Sequence, residues 1–217
     1  MTKVLLAGAT GLVGGQTLPR LIEAGFEVQT IGRRSSNIFP PRTINRVAET
    51  ALWPQLISEA KPDVAISCLG TTMKAAGSRE AFRAVDHDLV IAFAKAAKEA
   101  GARQMIAVSS VGAAHGNGSF YLRTKAEAEQ GLRDLGFERL DLIRPGLLTG
   151  GKRCESRPGE AFAIMLSPFT DLLMLGPLRR YASTPSVKVA QAIVALAGAE
   201  ASGQIIHENR EIDALAG

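Results

Sequence analysis

The spacing Gly8-Ala9-Thr10-Gly11-Leu12-Val13-Gly14, set directly behind the apolar run 3–7, constrains what this chain can fold into more than any other stretch. Three glycines between a strand and a helix mark a sharp turn whose backbone comes close to another group. A helix opening at Leu12 aims its first N–H groups into that turn, and those donors, with the positive end of the helix dipole, suit a pyrophosphate. Thr10, Leu12 and Val13 share the cradle with Gly8, Gly11 and Gly14, and all six are candidate cofactor contacts. The plainer alternative is a tight strand-to-helix turn that uses glycine only for backbone freedom.

Apolar, β-rich runs recur at 3–7, 27–31, 63–69, 104–109, 139–143 and 204–207, with amphipathic stretches at 12–24, 79–100 and 121–135 between several of them. This alternation predicts βαβ units and an α/β fold built on a doubly wound parallel sheet. The runs around Val4, Val28 and Val64 are nearly continuous in apolar residues, as strands covered by helices on both faces should be. Gly25, Gly101 and Gly136 stand where the three helices should end. A further helix is expected over 47–59, with Pro54 near its start and Trp53 buried. Another should open at Thr184-Pro185 and bury Val187, Ala190, Ile193, Val194 and Ala197.

Residues 145–185 are rich in glycine and proline and carry no strong strand signal. They are expected to form a small substrate or lid segment, with a short helix near 159–166, inside a single domain spanning 1–217. Arg157 and Glu160 in this segment are candidates to clamp an anionic substrate or close a lid; a structural ion pair is the equal alternative.

The charge balance excludes little by itself. Among 217 residues the net charge is +4, but the basic residues fall in short pairs, Arg33-Arg34, Lys152-Arg153 and Arg179-Arg180, and no nucleic-acid-binding module accompanies them. No nucleic-acid partner is expected. The stretch 187–201 carries Lys188 and Gln191 and falls short of the roughly 20 apolar residues of a membrane span. The first apolar run breaks at Gly8, too soon for a secretory signal. Cys68 and Cys154 are far apart and lack metal-ligand spacing, so neither a disulfide framework nor a metal site is expected. A cytoplasmic location is the expectation.

About twenty residues past the glycine turn, where an acid commonly binds the ribose 2′-OH of NAD, the chain has Ile31-Gly32-Arg33-Arg34. Guanidinium groups suit a 2′-phosphate, so Arg33 and Arg34 favour NADP(H) over NAD(H), with Arg33 the more engaged of the two. Surface charge on a loop is the alternative. A third cofactor element is Cys68-Leu69-Gly70-Thr71, a small turn at the end of the 63–69 strand that lets the backbone pass adenine and ribose. Cys68 itself is read as a packing residue, since no base lies near it in sequence.

Tyr121 and Lys125 stand at i and i+4 on one helical face, behind the strand that ends at Ser109-Ser110. An ammonium beside a phenol favours the phenolate, so the pair can shuttle a proton to or from a carbonyl oxygen while a serine hydroxyl binds that oxygen. Ser109 has the better spacing, and a one-residue shift of the strand end would exchange it with Ser110. Lys125 also serves as a candidate hold on the nicotinamide ribose. Alone, the Tyr-x-x-x-Lys pattern is usually a surface helix pair; its placement after the glycine turn makes a proton-transfer site the leading reading. His87, His115 and His207 are read as structural, with His115 close enough in sequence to line the pocket.

Taken together, these residues resemble the short-chain dehydrogenase/reductase superfamily, and within it the atypical members related to the Tat-interacting oxidoreductase-like protein. The resemblance spans most of the chain through Gly8-Ala-Thr-Gly11, Ile31-Gly-Arg-Arg34, Cys68-Leu-Gly-Thr-Thr72, Val85-Asp86, Ser109-Ser110, Tyr121 with Lys125, Arg144-Pro145-Gly146 and Glu155-Ser-Arg-Pro-Gly-Glu160. It implies a Rossmann-like fold, NADPH as cofactor, Ser109, Tyr121 and Lys125 in the active site, and Ser110 and Pro145 on the cofactor side. Asp86 stands where many members of the superfamily place an Asn that organises a proton-relay water.

The leading expectation is therefore an NADPH-dependent oxidoreductase acting on a small, unidentified carbonyl or alcohol. A dinucleotide-sensing regulatory protein with a protein partner shares every cofactor residue and differs at the need for Tyr121. A sugar-nucleotide epimerase would hold NAD tightly, which Arg33 argues against, and would devote a larger C-terminal region to substrate. A homodimer fits the superfamily's habits.

Overall fold

The computed structural model describes residues 1–34, 39–40, 43–116, 118–150 and 180–217. Seven parallel strands form the main sheet: β1 (Lys3–Ala7), β2 (Glu27–Gly32), β3 (Ile44–Val47), β4 (Val64–Ser67), β5 (Gln104–Val108), β6 (Arg139–Ile143) and, last in the chain, β9 (Gly203–His207). Their spatial order is β3-β2-β1-β4-β5-β6-β9. The chain winds outward from β1 in one direction, returns, and winds outward in the other. The reversal leaves a crevice beyond the carboxyl ends of β1 and β4, where open parallel sheets bind their ligands.

Both faces of the sheet are apolar because helices cover both. On one, Leu5, Ala65, Met105 and Leu140 pack against Ile57 of α2 (Trp53–Ala60) and Phe93 of α5 (Leu89–Glu99). On the other, Val4, Leu6, Ile66 and Ile106 meet Leu18 and Leu21 of α1 (Leu12–Glu23) and Val189 and Ile193 of α7 (Ser186–Leu196). Strict alternation of Leu5 with Val4 and Leu6 sends neighbouring side chains into the two cores, which is why a strand without polar alternation is stable here.

The expected strands and the helices at 12–24 and 121–135 form within a residue or two of their predicted bounds, the latter as α6 (Phe120–Asp134). Gly25, Gly101 and Gly136 take positive φ at the helix ends. Three local expectations need correction. Val47 belongs to the edge strand β3, and the helix predicted over 47–59 becomes a short 3-10 turn, Thr50–Leu52, followed by α2. The helix predicted over 79–100 is α4 (Arg79–Arg83), a π-turn (Ala84–Asp88) and α5. Val187 and Val194 on α7 are only half-buried, and Val189, Ala192 and Leu196 carry the apolar face beside Ala190 and Ile193. The terminal helix α8 (Asn209–Ala216) was not foreseen; a capping box between Glu208 and Glu211 starts it.

A two-stranded parallel ribbon of β7 (Leu148–Thr149) and β8 (Thr184–Pro185) stands apart from the main sheet. Asn209 ties it to α8: its Oδ1 accepts from Gly146 N–H at 3.2 Å and Thr184 Oγ1 at 2.5 Å, while Nδ2 donates to Ala182 O at 2.8 Å. Arg157, Glu160, Cys154 and the helix expected near 159–166 lie outside the described residues. Among the described residues no helix is long and apolar enough to cross a membrane.

Candidate functional site

A cleft of about 430 Å³ runs along the carboxyl ends of β2, β1, β4 and β5. Gly8, Thr10, Gly11, Leu12 and Val13 line its floor, Arg33 and Arg34 one end, Cys68 to Thr71 its middle, and Ser109, Tyr121 and Lys125 the other end. Topology alone brings these segments together, because each follows the carboxyl end of a strand or opens the helix behind it. Gly14, Ser110 and Pro145 do not reach the cleft wall.

The glycine turn is built by the protein's own backbone. Gly8 has φ +83°, and a Cβ there would lie 2.5 Å from Cys68 O; a Cβ at Gly14 would lie 2.2 Å from Gly8 O. Both positions must be glycine whatever the cleft holds. The cofactor argument therefore rests on what the turn presents. Helix α1 starts at Gly11 with no side-chain cap and no acid in its first turn, so its first N–H groups face the cleft without a side-chain partner. An anionic pyrophosphate fits this cradle.

At the far end the charged groups are paired. Asp86, 1% exposed, is set into the cleft by the π-turn, a distortion that often accompanies functional sites. Its Oδ1 lies 2.8 Å from Lys125 Nζ, and its Oδ2 accepts the Thr71 N–H at 2.7 Å. Gly70 passes over the pair, where an added Cβ would sit 3.4 Å from Asp86 Oδ1. Burial works against the Lys125 ammonium, but Asp86, Tyr121 and Glu129 outweigh it and hold its pKa above the ordinary lysine value. Tyr121 packs on Phe82, with ring centroids 5.5 Å apart.

Ser109 donates to Glu129 Oε1 at 2.6 Å. Glu129, also buried, is held by Arg144 through Nε at 2.8 Å and a terminal nitrogen at 2.5 Å, and by Arg133 at 3.2 Å. Ser110 Oγ donates to Val111 O at 3.3 Å, away from the cleft wall. Cys68 behaves as packing: burial pushes its thiol up to about 12, against a smaller lowering by Thr17. The histidines stand apart from the proton-transfer groups. His87 pairs with Asp88 at 2.7 Å, His207 with Asp141 at 2.9 Å, and His115 is exposed.

Sequence reasoning missed several cleft residues. Asn45 lines it from β3, an edge strand the apolar pattern does not mark, with its Oδ1 accepting from Thr30 at 2.8 Å. Leu147 and Leu148 enter from the segment after β6. The pairing of Asp86 had a signal: the acid falls on the buried stripe Phe82, Val90 and Phe93, where an unpaired carboxylate would be costly.

Parallel order, crevice position and anion cradle together define a Rossmann-type nucleotide-binding protein. A family profile described as NAD(P)H-binding matches residues 8–163. The chain belongs to this NAD(P)H-binding family. It is 41% identical over 172 residues, 75% of this chain and 73% of the relative, to "Protein fmp52, mitochondrial" of Emericella nidulans. With "Protein FMP52, mitochondrial" of Lodderomyces elongisporus it shares 35% over 188 residues, 81% of this chain and 79% of the relative.

Two solved structures share the fold at low identity. The Bordetella bronchiseptica enzyme WbmH in complex with NAD+ aligns with TM-score 0.72 and 17% identity over 96% of this chain and 76% of its own. UDP-glucose 4-epimerase from Bifidobacterium longum, in complex with NAD+ and UDP, gives TM-score 0.73 and 17% identity over 95% and 77%. The cytoplasmic expectation does not stand, because the fungal relatives are named as mitochondrial proteins.

Proposed function

We propose that this protein is an NADP(H)-dependent reductase of a small carbonyl compound. The observation that carries the reading is the single cleft that has an uncapped helix N-terminus and Arg33 at one end and Tyr121 with Lys125 at the other. Gly11, Leu12 and Val13 would hold the pyrophosphate, Arg33 and Arg34 the 2′-phosphate, and Leu69 to Thr71 the adenine side. When bound, the reduced nicotinamide supplies a hydride. Tyr121 gives a proton to the carbonyl oxygen, and Lys125 orients the ribose from a helix position locked by Asp86. Phe82 fixes the phenol ring, so proton donor and oxygen meet without a search over side-chain conformers.

Turnover of a carbonyl panel with NADPH tests this reading, with Tyr121→Phe as the control. The variant is expected to bind NADPH like the parent and to lose at least about a hundredfold in kcat, the contribution typical of a positioned acid. Equal turnover by the variant would overturn the assignment.

A second reading has one observation in its favour. Two of the three candidate active-site groups are already engaged within the protein, Lys125 by Asp86 and Ser109 by Glu129. A dinucleotide-binding regulatory protein with little turnover, passing cofactor occupancy to a protein partner, accommodates that arrangement. It predicts that Tyr121→Phe leaves every cofactor-dependent response intact.

A further inference from the structure

Three groups capable of holding or releasing a proton meet where the π-turn packs against α6. The Asp86 and Lys125 side chains are 1% and 7% exposed, with 2.8 Å between Oδ1 and Nζ. Tyr121 stands one turn before Lys125 on the same helix and shares the cleft wall with both. Facing Lys125 from its own helix are Tyr121 and Glu129, and from the π-turn Asp86. Glu129 is already matched by Arg144 and Arg133. The loop after β4 contributes backbone only, through Thr71 N–H and Gly70.

A lysine acting alone one helical turn from a tyrosine on the same cleft wall would favour phenolate on it. Here a carboxylate occupies the same ammonium, in a place where solvent screens neither charge. The pair is an ion pair of net charge zero.

We propose that Asp86 is a positioning residue that cancels the charge of Lys125, so that Tyr121 keeps its proton and the site gives a proton to a carbonyl oxygen rather than taking one from an alcohol. This rests on the reading of Tyr121 as the proton donor. In that direction the phenol O–H breaks, the substrate oxygen gains the proton, and the carbonyl carbon takes hydride from the reduced nicotinamide. A carboxylate also explains what an amide at position 86 would not: Oδ2 orders the cofactor-side loop through Thr71 while Oδ1 holds the lysine.

The test needs neither cofactor nor substrate. The chain has 2 tyrosines, Tyr121 and Tyr181, so in a Tyr181→Phe background the near-ultraviolet tyrosinate absorbance reports Tyr121 alone. Asp86→Asn removes the charge and leaves an amide oxygen for Thr71. Its tyrosinate midpoint is expected to fall by about one pH unit or more relative to the background protein. The neutral pair Asp86→Asn with Lys125→Met should bring it back. Lys125→Met alone leaves the carboxylate facing the phenol and should move the midpoint up, which keeps the test decisive if Asp86→Asn fails to fold. A midpoint that stays or rises in folded Asp86→Asn, or that stays or falls in Lys125→Met, overturns the proposal. For carbonyl reduction, the limb that falls as pH rises should move the same way in Asp86→Asn. Failure of the wild type to bind NADPH would remove the reductase reading and leave the titration result standing, so the two failures are distinguishable.

Discussion

Ser109 Oγ lies 2.6 Å from Glu129 Oε1 and donates its only proton to that carboxylate. Toward the cleft the serine therefore offers lone pairs, suited to accept from a phenol or an alcohol rather than to polarise a carbonyl. Ser109→Ala is expected to lower kcat by about tenfold, well short of the 10²–10³ typical of a lost oxyanion donor. Urea unfolding should show a loss of about 1 kcal/mol, because Glu129 keeps both arginines. A loss of kcat on the scale of Tyr121→Phe would mean that the hydroxyl turns to donate during the reaction.

Two neighbouring glycines of α1 should respond in opposite directions. A Cβ at Gly14 would come within 2.2 Å of Gly8 O, whereas one at Gly15 would make an ordinary 3.4 Å contact with Ala9 O. Gly14→Ala is expected to cost about 1–3 kcal/mol as backbone is forced apart, and to weaken NADPH binding with it. Gly15→Ala, on the exposed side of the same turn, should stabilise by up to about 1 kcal/mol through helix propensity. Thermal unfolding of the two variants side by side checks the packing argument without reference to catalysis.

A buried polar knot away from the cleft should make the fold acid-sensitive. Asp141 on β6 accepts from Arg139 at 2.7 and 3.0 Å, from Gln104 of β5 at 2.8 Å, and is joined by His207 of β9 at 2.9 Å. Burial pushes its carboxyl up, but the bonds from His207, Arg139 and Gln104 prevail and hold it below the ordinary aspartate value. A depressed folded-state value means stability that is present above the unfolded value, about 4, and lost as pH falls through the folded one. Asp141→Asn should cost about 3 kcal/mol or more at neutral pH by leaving Arg139 buried and uncompensated. Urea midpoints measured from pH 7 downward should fall for the wild type below about pH 4 and change less for the variant.

Much of this molecule was legible in its sequence, for a physical reason. Strands buried on both faces, such as Lys3–Ala7 and Val64–Ser67, announce themselves by nearly continuous apolar content, and the glycine turn by the demands of close backbone packing. What stayed hidden depends on contacts between distant segments. The edge strand Ile44–Val47 has exposed Ile44 and Val47 and no apolar face of its own, so only its pairing with β2 makes it a strand. The π-turn at Ala84–Asp88 breaks a helical pattern that still reads as continuous, and it is this break that brings Asp86 to Lys125. Likewise, the spacing of Ser109 to Tyr121 says where the serine lies, while the direction of its hydrogen bond depends on Glu129 and two arginines brought up from α6 and the end of β6.

The most direct test of the NADP(H) reading is a fluorescence titration of the purified protein with NADPH and with NADH, repeated on Arg33→Ala. Arg33 lines the cleft at the end of β2, and the sequence carries no Asp or Glu between residues 28 and 48 to take a ribose hydroxyl. The wild type should bind NADPH more tightly than NADH, and Arg33→Ala should lose about ten- to a hundredfold in NADPH affinity, the worth of a charge-assisted hydrogen bond, with NADH affinity unchanged. Equal affinity for the two cofactors, or an equal loss of both in the variant, would contradict it.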